Sequence, residues 1–145
     1  MATVPSPRPR PPGVVLVVED NDDASDIYGA SLRHHGFEVM LATTLADARD
    51  LARARRPDVV VLDCRLPDGD GIGLLEHWRR AGSPMSKVPV IVVTASGVRQ
   101  DVNAALAAGA DAFVQKPCPG DVLIAYVERA MTGKSPSGEI PKVVP

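Results

Sequence analysis

Five apolar runs of strand length alternate along the chain with segments whose apolar residues recur at helical spacing. The runs cover residues 14–18, 37–41, 59–62, 90–93 and 112–115. Helical patterns follow them at about 22–35, from Thr44 to the arginines near 55, and at about 71–80, 98–108 and 121–131. Strands that alternate with helices in this way are typical of a parallel α/β sheet covered by helices on both faces.

The composition of each run predicts its place in the sheet. The runs at 14–18, 59–62 and 90–93 are apolar throughout, as strands buried on both faces are. The other two runs carry Glu38 and Gln115, which favours edge positions. With right-handed crossovers these assignments predict a five-stranded parallel sheet in the order 2-1-3-4-5, the doubly wound, flavodoxin-like (βα)5 sandwich.

Length and charge narrow the class of protein. A chain of 145 residues suggests one domain, and a net charge of −2 gives no indication of binding to nucleic acid or to an anionic membrane. The two cysteines, Cys64 and Cys118, occur without a secretory signal, and the apolar runs are too short to span a bilayer. We therefore expect a cytoplasmic protein with reduced thiols.

The two ends of the chain differ from its middle. Residues 1–13 are rich in proline and arginine and contain no acidic residue, and residues 132–145 are rich in Pro, Gly, Ser and Lys. Neither segment has enough apolar residues to pack, so both are predicted to be disordered. The folded domain is predicted to cover residues 14–131.

Four of the five runs end on side chains that are suited to phosphoryl chemistry. Glu19-Asp20, Asp63, Thr94 and Lys116 each come directly after a run. Because ligands bind at the carboxyl ends of strands in open α/β sheets, these residues are predicted to meet in one cleft where the strand order reverses. Two carboxylates 4 Å apart repel by about 4 kcal/mol at an effective dielectric constant near 20, so three acids need a cation as partner. Mg²⁺ suits these oxygen ligands.

The same residues suggest a reaction. Asp63 can act as a nucleophile toward a phosphoryl group and form an aspartyl phosphate. Lys116 can pair with one phosphoryl oxygen, and the Thr94 hydroxyl can donate a hydrogen bond to another. Any single acid at the end of a strand is more often a solvated turn residue or a helix cap, so the prediction depends on the whole set.

The chain resembles the receiver domains of two-component response regulators, of the chemotaxis-regulator type. The matching motifs are Glu19-Asp20, Asp63, the loop at 66–71, Thr94-Ala95 and Lys116-Pro117, each in the expected order at the end of a strand. The resemblance implies that Asp63 is the phosphoacceptor. It also implies that Glu19, Asp20, Asp63 and the backbone carbonyl of Arg65 hold Mg²⁺, and that the Lys116–Pro117 bond is cis.

The resemblance further implies a switch and two classes of partner. Thr94 and Phe113 occupy the positions that shift on phosphorylation in the family. The donor is expected to be a sensor histidine kinase or a histidine phosphotransfer protein. The output of a stand-alone receiver is expected to pass to a downstream protein on the face of the fourth helix, fifth strand and fifth helix, near Val98, Val102, Leu106 and Phe113. The chain would be a monomer or a phosphorylation-dependent dimer.

Two alternatives remain beside this interpretation. A protein-binding module with the receiver fold could have lost the phosphorylation cycle, although every reactive position is filled. A phosphatase with an aspartyl nucleophile usually carries a second acid two residues after it, where this chain has Arg65. We therefore do not expect an enzyme that acts on other substrates. Cys64 and Cys118 are interpreted as inert packed thiols, with Cys64 pointing away from Asp63 by strand alternation.

Overall fold

A computed structural model describes residues 13–95 and 99–132, with the side chains of residues 99 and 100 excepted. The predicted arm and tail lie outside these residues apart from Gly13 and Thr132, and so does Val98. The strands are β1 (Val14–Val18), β2 (Glu38–Ala42), β3 (Val59–Leu62), β4 (Arg65–Leu66), β5 (Gly69–Asp70), β6 (Val90–Thr94) and β7 (Ala112–Gln115). The helices are α1 (Asp22–His34), α2 (Leu45–Ala54), α3 (Gly71–Trp78), α4 (Arg99–Ala108) and α5 (Gly120–Met131).

The five long strands form one parallel sheet in the order β2-β1-β3-β6-β7. This order confirms the prediction, because β6 and β7 are the fourth and fifth of the predicted strands. The two strands with charged or amide side chains are at the edges, and the three apolar strands are inside. The short strands β4 and β5 form an antiparallel hairpin directly after β3.

Side chains of the central strands alternate between two separate cores. Val15 and Val17 of β1 pack with residues of α1 and α5 on one face of the sheet. Leu16 and Val18 face the other side, where they pack with residues of α2, α3 and α4. The apolar side chains of β1 therefore pack against helices on both faces of the sheet, as expected for an interior parallel strand.

The predicted start of α2 is confirmed, and it has a second support. Thr44 is the N-cap, and its hydroxyl accepts a hydrogen bond from the Asp47 N–H at 3.0 Å. The carboxylate of Asp68, in the turn of the β4–β5 hairpin, accepts hydrogen bonds from the Leu45 and Ala46 N–H groups at 2.8 and 3.1 Å. The N–H groups in the first turn of a helix have no partner within the helix. By accepting from two of them, Asp68 connects the β4–β5 hairpin, which follows Asp63, to the start of α2.

Phe113 and Val102 are core residues in this structure. Phe113 is fully buried in the core on the side of α2, α3 and α4, and Val102 is buried in the same core. Phe113 therefore provides no exposed area on the face of α4, β7 and α5, and Val102 provides little, so these two residues lie beneath the face near which they were expected. Leu106 is half-buried against this core. Among the described residues, none of the helices is long and apolar enough to cross a membrane.

Candidate functional site

Hydrogen bonds between backbones extend the sheet beyond its strands and fix the site residues. The Asp63 N–H donates to the Val18 carbonyl at 3.0 Å, which places Asp63 beside the end of β1. The Lys116 N–H donates to the Thr94 carbonyl at 2.8 Å, which joins the ends of β6 and β7 in the same way. The resulting cleft is about 470 Å³ and is lined by Glu19, Asp20, Asn21, Asp22, Asp63, Arg65, Thr94, Ala95 and Lys116.

The three predicted metal-ligating acids lie together in this cleft. One carboxylate oxygen from each of Glu19, Asp20 and Asp63 lies within 4.8 Å of the other two. Glu19 and Asp63 are 2% and 7% exposed, whereas Asp20 is exposed to solvent. The arrangement therefore has a buried inner pair and an open side through which a ligand can enter.

Lys116 is the counterion of the inner pair. Its ammonium Nζ lies 2.6 Å from Glu19 Oε1 and 3.1 Å from Asp63 Oδ2. One positive charge thus faces two buried carboxylates, with Asp20 nearby. The cluster keeps an excess of negative charge, which a divalent cation would neutralise.

Burial and the neighbouring charges shift the pKa values of Glu19 and Lys116. Burial raises the pKa of Glu19, although the hydrogen bonds from Lys116 and from the Asn21 backbone oppose the change, and the charge of Asp63 adds to it. Burial lowers the pKa of Lys116, but its hydrogen bond to Glu19 and the charges of both carboxylates outweigh that effect and raise it. Lys116 therefore stays protonated and keeps its charge in the cluster.

The cleft also contains a residue that the sequence did not suggest as part of the site. The Asn21 N–H donates to Glu19 Oε2 at 3.1 Å, and the Asn21 side chain accepts a hydrogen bond from the Ala24 N–H as the N-cap of α1. Both oxygens of Glu19 are therefore engaged, one by Lys116 and one by this backbone donor. An asparagine directly before a predicted helix was a capping signal, but its contact with Glu19 needs the three-dimensional structure.

Behind the acids, Thr94 and Cys64 contact each other. Thr94 lines the cleft but is only 1% exposed, and it shares a hydrogen bond with Cys64 that opposes the effect of burial on the pKa of this thiol. Burial raises the pKa of the Cys64 thiol to about 12 despite this bond. The thiol packs in the core on the side of α2, α3 and α4 and does not line the cleft, as predicted. Phe113 lies in that same core and does not line the cleft either.

The start of α3 holds the backbone of Asp63 in place. The Gly71 N–H donates to the Cys64 carbonyl at 2.7 Å, and a Cβ at Gly71 would come within 2.3 Å of the Asp63 carbonyl oxygen. No side chain fits there unless the backbone of Asp63 moves. The glycine at this position is therefore a steric requirement of the site.

We expect Gly71→Ala to lower the free energy of unfolding by about 1–3 kcal/mol, because the new methyl group must displace backbone atoms in a packed region. Gly73→Ala is the matched control on the same helix, since a Cβ at Gly73 meets nothing within 4 Å. That variant should gain about 0.5–1 kcal/mol from the higher helix propensity of alanine. Urea unfolding of both variants measures the difference. If Gly71→Ala and Gly73→Ala have the same free energy of unfolding, the close contact at Gly71 does not constrain the site.

The donor set of the cleft fits a hard divalent cation. Three carboxylates at the end of β1 and β3 provide the oxygen ligands that Mg²⁺ prefers, and the exposed side of the cleft leaves room for the water ligands that it retains. None of the described residues that line the cleft carries a thiol or an imidazole, so their chemistry does not favour zinc.

Comparison with known proteins agrees with this arrangement. Residues 15–128 match the family model of the response regulator receiver domain. The chain is 40% identical over 106 residues to the probable transcriptional regulatory protein TcrX of Mycobacterium tuberculosis, an alignment that covers 73% of this chain and 44% of that protein. The chain spans about half the length of the curated relatives that it matches first.

Solved structures show the same fold. A response regulator from Chloroflexus aurantiacus superposes with a TM-score of 0.78 at 27% identity, covering 83% of this chain and 98% of that one. The BeF3-activated receiver domain of DrrB superposes with a TM-score of 0.73 at 28% identity, covering 83% of this chain and 97% of that one. The predicted resemblance is confirmed by these matches.

Proposed function

The chain belongs to the family of response regulator receiver domains, and we propose that Asp63 accepts its phosphoryl group from a sensor histidine kinase or a histidine phosphotransfer protein. The observation that carries this proposal is the position of Asp63. Its carboxylate lies in an open cleft, close to Glu19 and Asp20 and 3.1 Å from the Lys116 ammonium. This grouping supports the assignment of Asp63 as nucleophile, of the neighbouring acids as metal ligands and of Lys116 as the cation for the incoming phosphoryl oxygens.

The transfer is a displacement at phosphorus. A carboxylate oxygen of Asp63 donates an electron pair to the phosphorus of a phosphohistidine, and the P–N bond breaks with its electron pair going to the imidazole. The products are an aspartyl phosphate and a histidine that takes up a proton. Hydrolysis of the acyl phosphate by water later returns Asp63 to its carboxylate form.

The residues around Asp63 have separate tasks in this step. We assign Glu19, Asp20, Asp63 and the backbone carbonyl of Arg65 to Mg²⁺, which when bound supplies positive charge to the phosphoryl oxygens. Lys116 turns from the carboxylates of Glu19 and Asp63 toward a phosphoryl oxygen, and it is already charged because both carboxylates raise its pKa. The Thr94 hydroxyl donates a hydrogen bond to another phosphoryl oxygen.

The proposal extends to the switch residues Thr94 and Phe113. Phe113 is fully buried in the core that also contains residues of α4, so a shift of its ring would change the packing of that helix. We expect Phe113→Leu to leave phosphorylation of Asp63 largely intact, because Phe113 lies in the core and does not line the cleft. Hydrogen exchange of α4 should then respond less to phosphorylation than in the parent. An unchanged response would contradict a role for Phe113 in the coupling.

The output of the domain is also part of the proposal. The relatives include proteins named as transcriptional regulators, and the chain matches about half of their length. We propose that the phosphorylated domain signals through the face of α4, β7 and α5, either to a downstream protein or to a second copy of the domain. The two cysteines are free, which agrees with a cytoplasmic location.

Two assays separate this function from its alternatives. A phosphorylated histidine phosphotransfer protein with a ³²P label should pass the label to the chain in the presence of Mg²⁺, and EDTA should prevent transfer. A failure of transfer with donors that phosphorylate other receivers would favour the binding module without a phosphate cycle. Steady turnover of p-nitrophenyl phosphate would instead favour the phosphatase; we expect none, because Arg65 stands where such enzymes carry a second acid.

A further inference from the structure

The carboxylate of Asp68 attaches the β4–β5 hairpin to the start of α2. Its Oδ1 accepts the Leu45 N–H at 2.8 Å, and its Oδ2 accepts the Ala46 N–H at 3.1 Å. The bond from the Leu45 N–H, supported by that from Ala46, lowers the pKa of Asp68, so this group is ionised at neutral pH. Both oxygens of a negative charge are therefore held at a helix N-terminus, where such a charge is favourable.

The first strand of this hairpin contacts the proposed phosphoacceptor. The Arg65 N–H donates to Asp63 Oδ1 at 3.2 Å, while the Lys116 ammonium lies 3.1 Å from Asp63 Oδ2. Arg65 pairs with Asp70 across the hairpin, so its backbone belongs to the hairpin and shifts with it. The position of the hairpin therefore determines how the Arg65 N–H meets the carboxylate of Asp63.

The hairpin depends on the rest of the fold for its position. Each of its strands has two residues, and a two-stranded hairpin has little stability by itself. Leu66 of β4 and Leu45 of α2 are buried in the same core, and a Cβ at Gly69 would lie 3.0 Å from Leu45 Cδ1. The hairpin thus lies against the start of α2, and the two hydrogen bonds of Asp68 fix its turn there.

We propose that Asp68 is a positioning residue for phosphorylation: by attaching the hairpin to α2, it holds the Arg65 backbone where its N–H orients Asp63 and its carbonyl can bind Mg²⁺. This inference rests on the proposed function, in which Asp63 is the acceptor and the Arg65 carbonyl is a metal ligand. Asp68 does not line the cleft and acts only through the backbone of the hairpin.

Thr44 offers a matched control on the same helix. Its hydroxyl caps α2 by accepting from the Asp47 N–H at 3.0 Å, so Thr44→Ala removes a cap and leaves the bonds between Asp68 and α2 in place. Asp68→Ala also removes a cap from α2, but it releases the hairpin as well. The two variants should lower the urea midpoint to a similar extent, because each loses a capping side chain.

The first readout is the affinity of the full chain for Mg²⁺, measured by titration of amide NMR signals. We expect Asp68→Ala to bind Mg²⁺ about tenfold more weakly than the parent, the lower end of the effect of residues that orient metal ligands. Thr44→Ala should bind Mg²⁺ like the parent. Asp68→Asn loses the charge but keeps one oxygen acceptor, so its affinity should lie between those of the parent and Asp68→Ala.

The second readout needs no metal. In EDTA, the Arg65 amide should exchange with solvent faster in Asp68→Ala than in the parent, because the hairpin no longer holds this N–H against Asp63. The exchange rate in Thr44→Ala should equal that of the parent. A purely structural role for Asp68 would instead change the Arg65 amide equally in Asp68→Ala and Thr44→Ala.

The outcomes separate the inference from the proposed function. An equal Mg²⁺ affinity or an equal Arg65 exchange rate in the parent and Asp68→Ala would overturn the inference, and so would equal losses in Asp68→Ala and Thr44→Ala. Phosphoryl transfer to the parent would stand in each of these cases, because the ³²P assay measures it independently. A parent that binds no Mg²⁺ would overturn both the inference and the metal assignment. If Asp68→Ala does not fold, an Arg65 exchange rate in Asp68→Asn equal to that of the parent would overturn the inference.

Discussion

Replacing Lys116 by methionine is expected to lower the free energy of unfolding of the metal-free protein by about 3 kcal/mol at pH 7, the usual effect of removing one partner of a buried ion pair. The Lys116 ammonium contacts Glu19 and Asp63, whose side chains are 3% and 9% exposed. Methionine keeps the apolar stem but removes the charge, so two buried carboxylates are left facing each other. Thermal and urea unfolding in EDTA measure the loss.

The pH dependence of this loss has a definite sign. The pKa of Glu19 is already raised by burial, and without Lys116 it rises further. An acid with a higher pKa in the folded state than in the unfolded state binds more protons when folded, so its unfavourable contribution disappears as pH falls through that raised pKa. The loss in the free energy of unfolding caused by Lys116→Met should therefore become smaller as pH falls from 7 toward the ordinary pKa of glutamate.

Two controls show whether the buried carboxylates left without Lys116 cause the loss of stability. Adding Glu19→Gln to Lys116→Met should recover most of the lost stability, because the amide is uncharged and of similar shape. Millimolar Mg²⁺ should also recover part of it, and should stabilise the Lys116→Met protein more than the parent, since the cation replaces the missing positive charge. A deficit that depends on neither pH nor Mg²⁺ would indicate that Lys116 contributes by packing instead.

Replacing Asp63 by alanine is expected to have the opposite effect on stability and to abolish phosphorylation. The metal-free variant should be more stable than the parent by about 1 kcal/mol, as is common when a charged functional residue is removed from a strained site. Asp63 lies close to Glu19 and Asp20, and its removal leaves the buried Glu19 paired with Lys116 at 2.6 Å. One repulsive carboxylate is lost, and no buried charge loses its only partner.

The comparison must be made with and without the cation. Asp20→Ala is the matched control, because this acid is exposed and its charge is better screened, so it should stabilise the metal-free protein less. Mg²⁺ should stabilise the parent more than the Asp63→Ala variant, because the variant has lost a ligand. A metal-free Asp63→Ala protein that melts below the parent would contradict the view that the cluster is under electrostatic strain.

The sheet and the main site residues could be predicted from local patterns. Apolar strands that alternate with helical segments determine a parallel sheet, and the charged or amide residues Glu38 and Gln115 indicate its edges. Parallel strands deliver their last residues to the same edge of the sheet. The order of the strands is therefore enough to bring Glu19, Asp63 and Lys116 together.

Contacts between remote side chains could not be predicted in this way. Arg79, after α3, donates from Nε to the Gly109 carbonyl at 3.1 Å and from Nη1 to the Met85 and Val88 carbonyls at 2.9 and 2.8 Å. Its Nη2 contacts Asp111 at 3.1 Å. No spacing in the sequence relates these residues. The fold brings them together, and the arginine then fixes the end of α4 to the segment before β6.

The same limit applies within the site. The sequence placed Cys64 on the opposite side of the strand from Asp63, and the structure agrees, but alternation could not reveal that its sulfur contacts Thr94. The full burial of Phe113 was not predicted either, because the run 112–115 was assigned to an edge strand and the helices that cover it could not be located from the sequence. The edge strand β7 is covered on both faces by helices, with Phe113 packed on the side of α4 and Val114 on the side of α5.

The central claim is that Asp63 accepts the phosphoryl group, and intact mass spectrometry tests it most directly. The parent and Asp63→Asn proteins are incubated with acetyl phosphate and Mg²⁺, and with a phosphorylated histidine phosphotransfer protein as a second donor. We expect the parent to gain the mass of one phosphoryl group from at least one donor and the Asp63→Asn protein to gain none. An equal gain in both proteins, or no gain in the parent with either donor, would contradict the account.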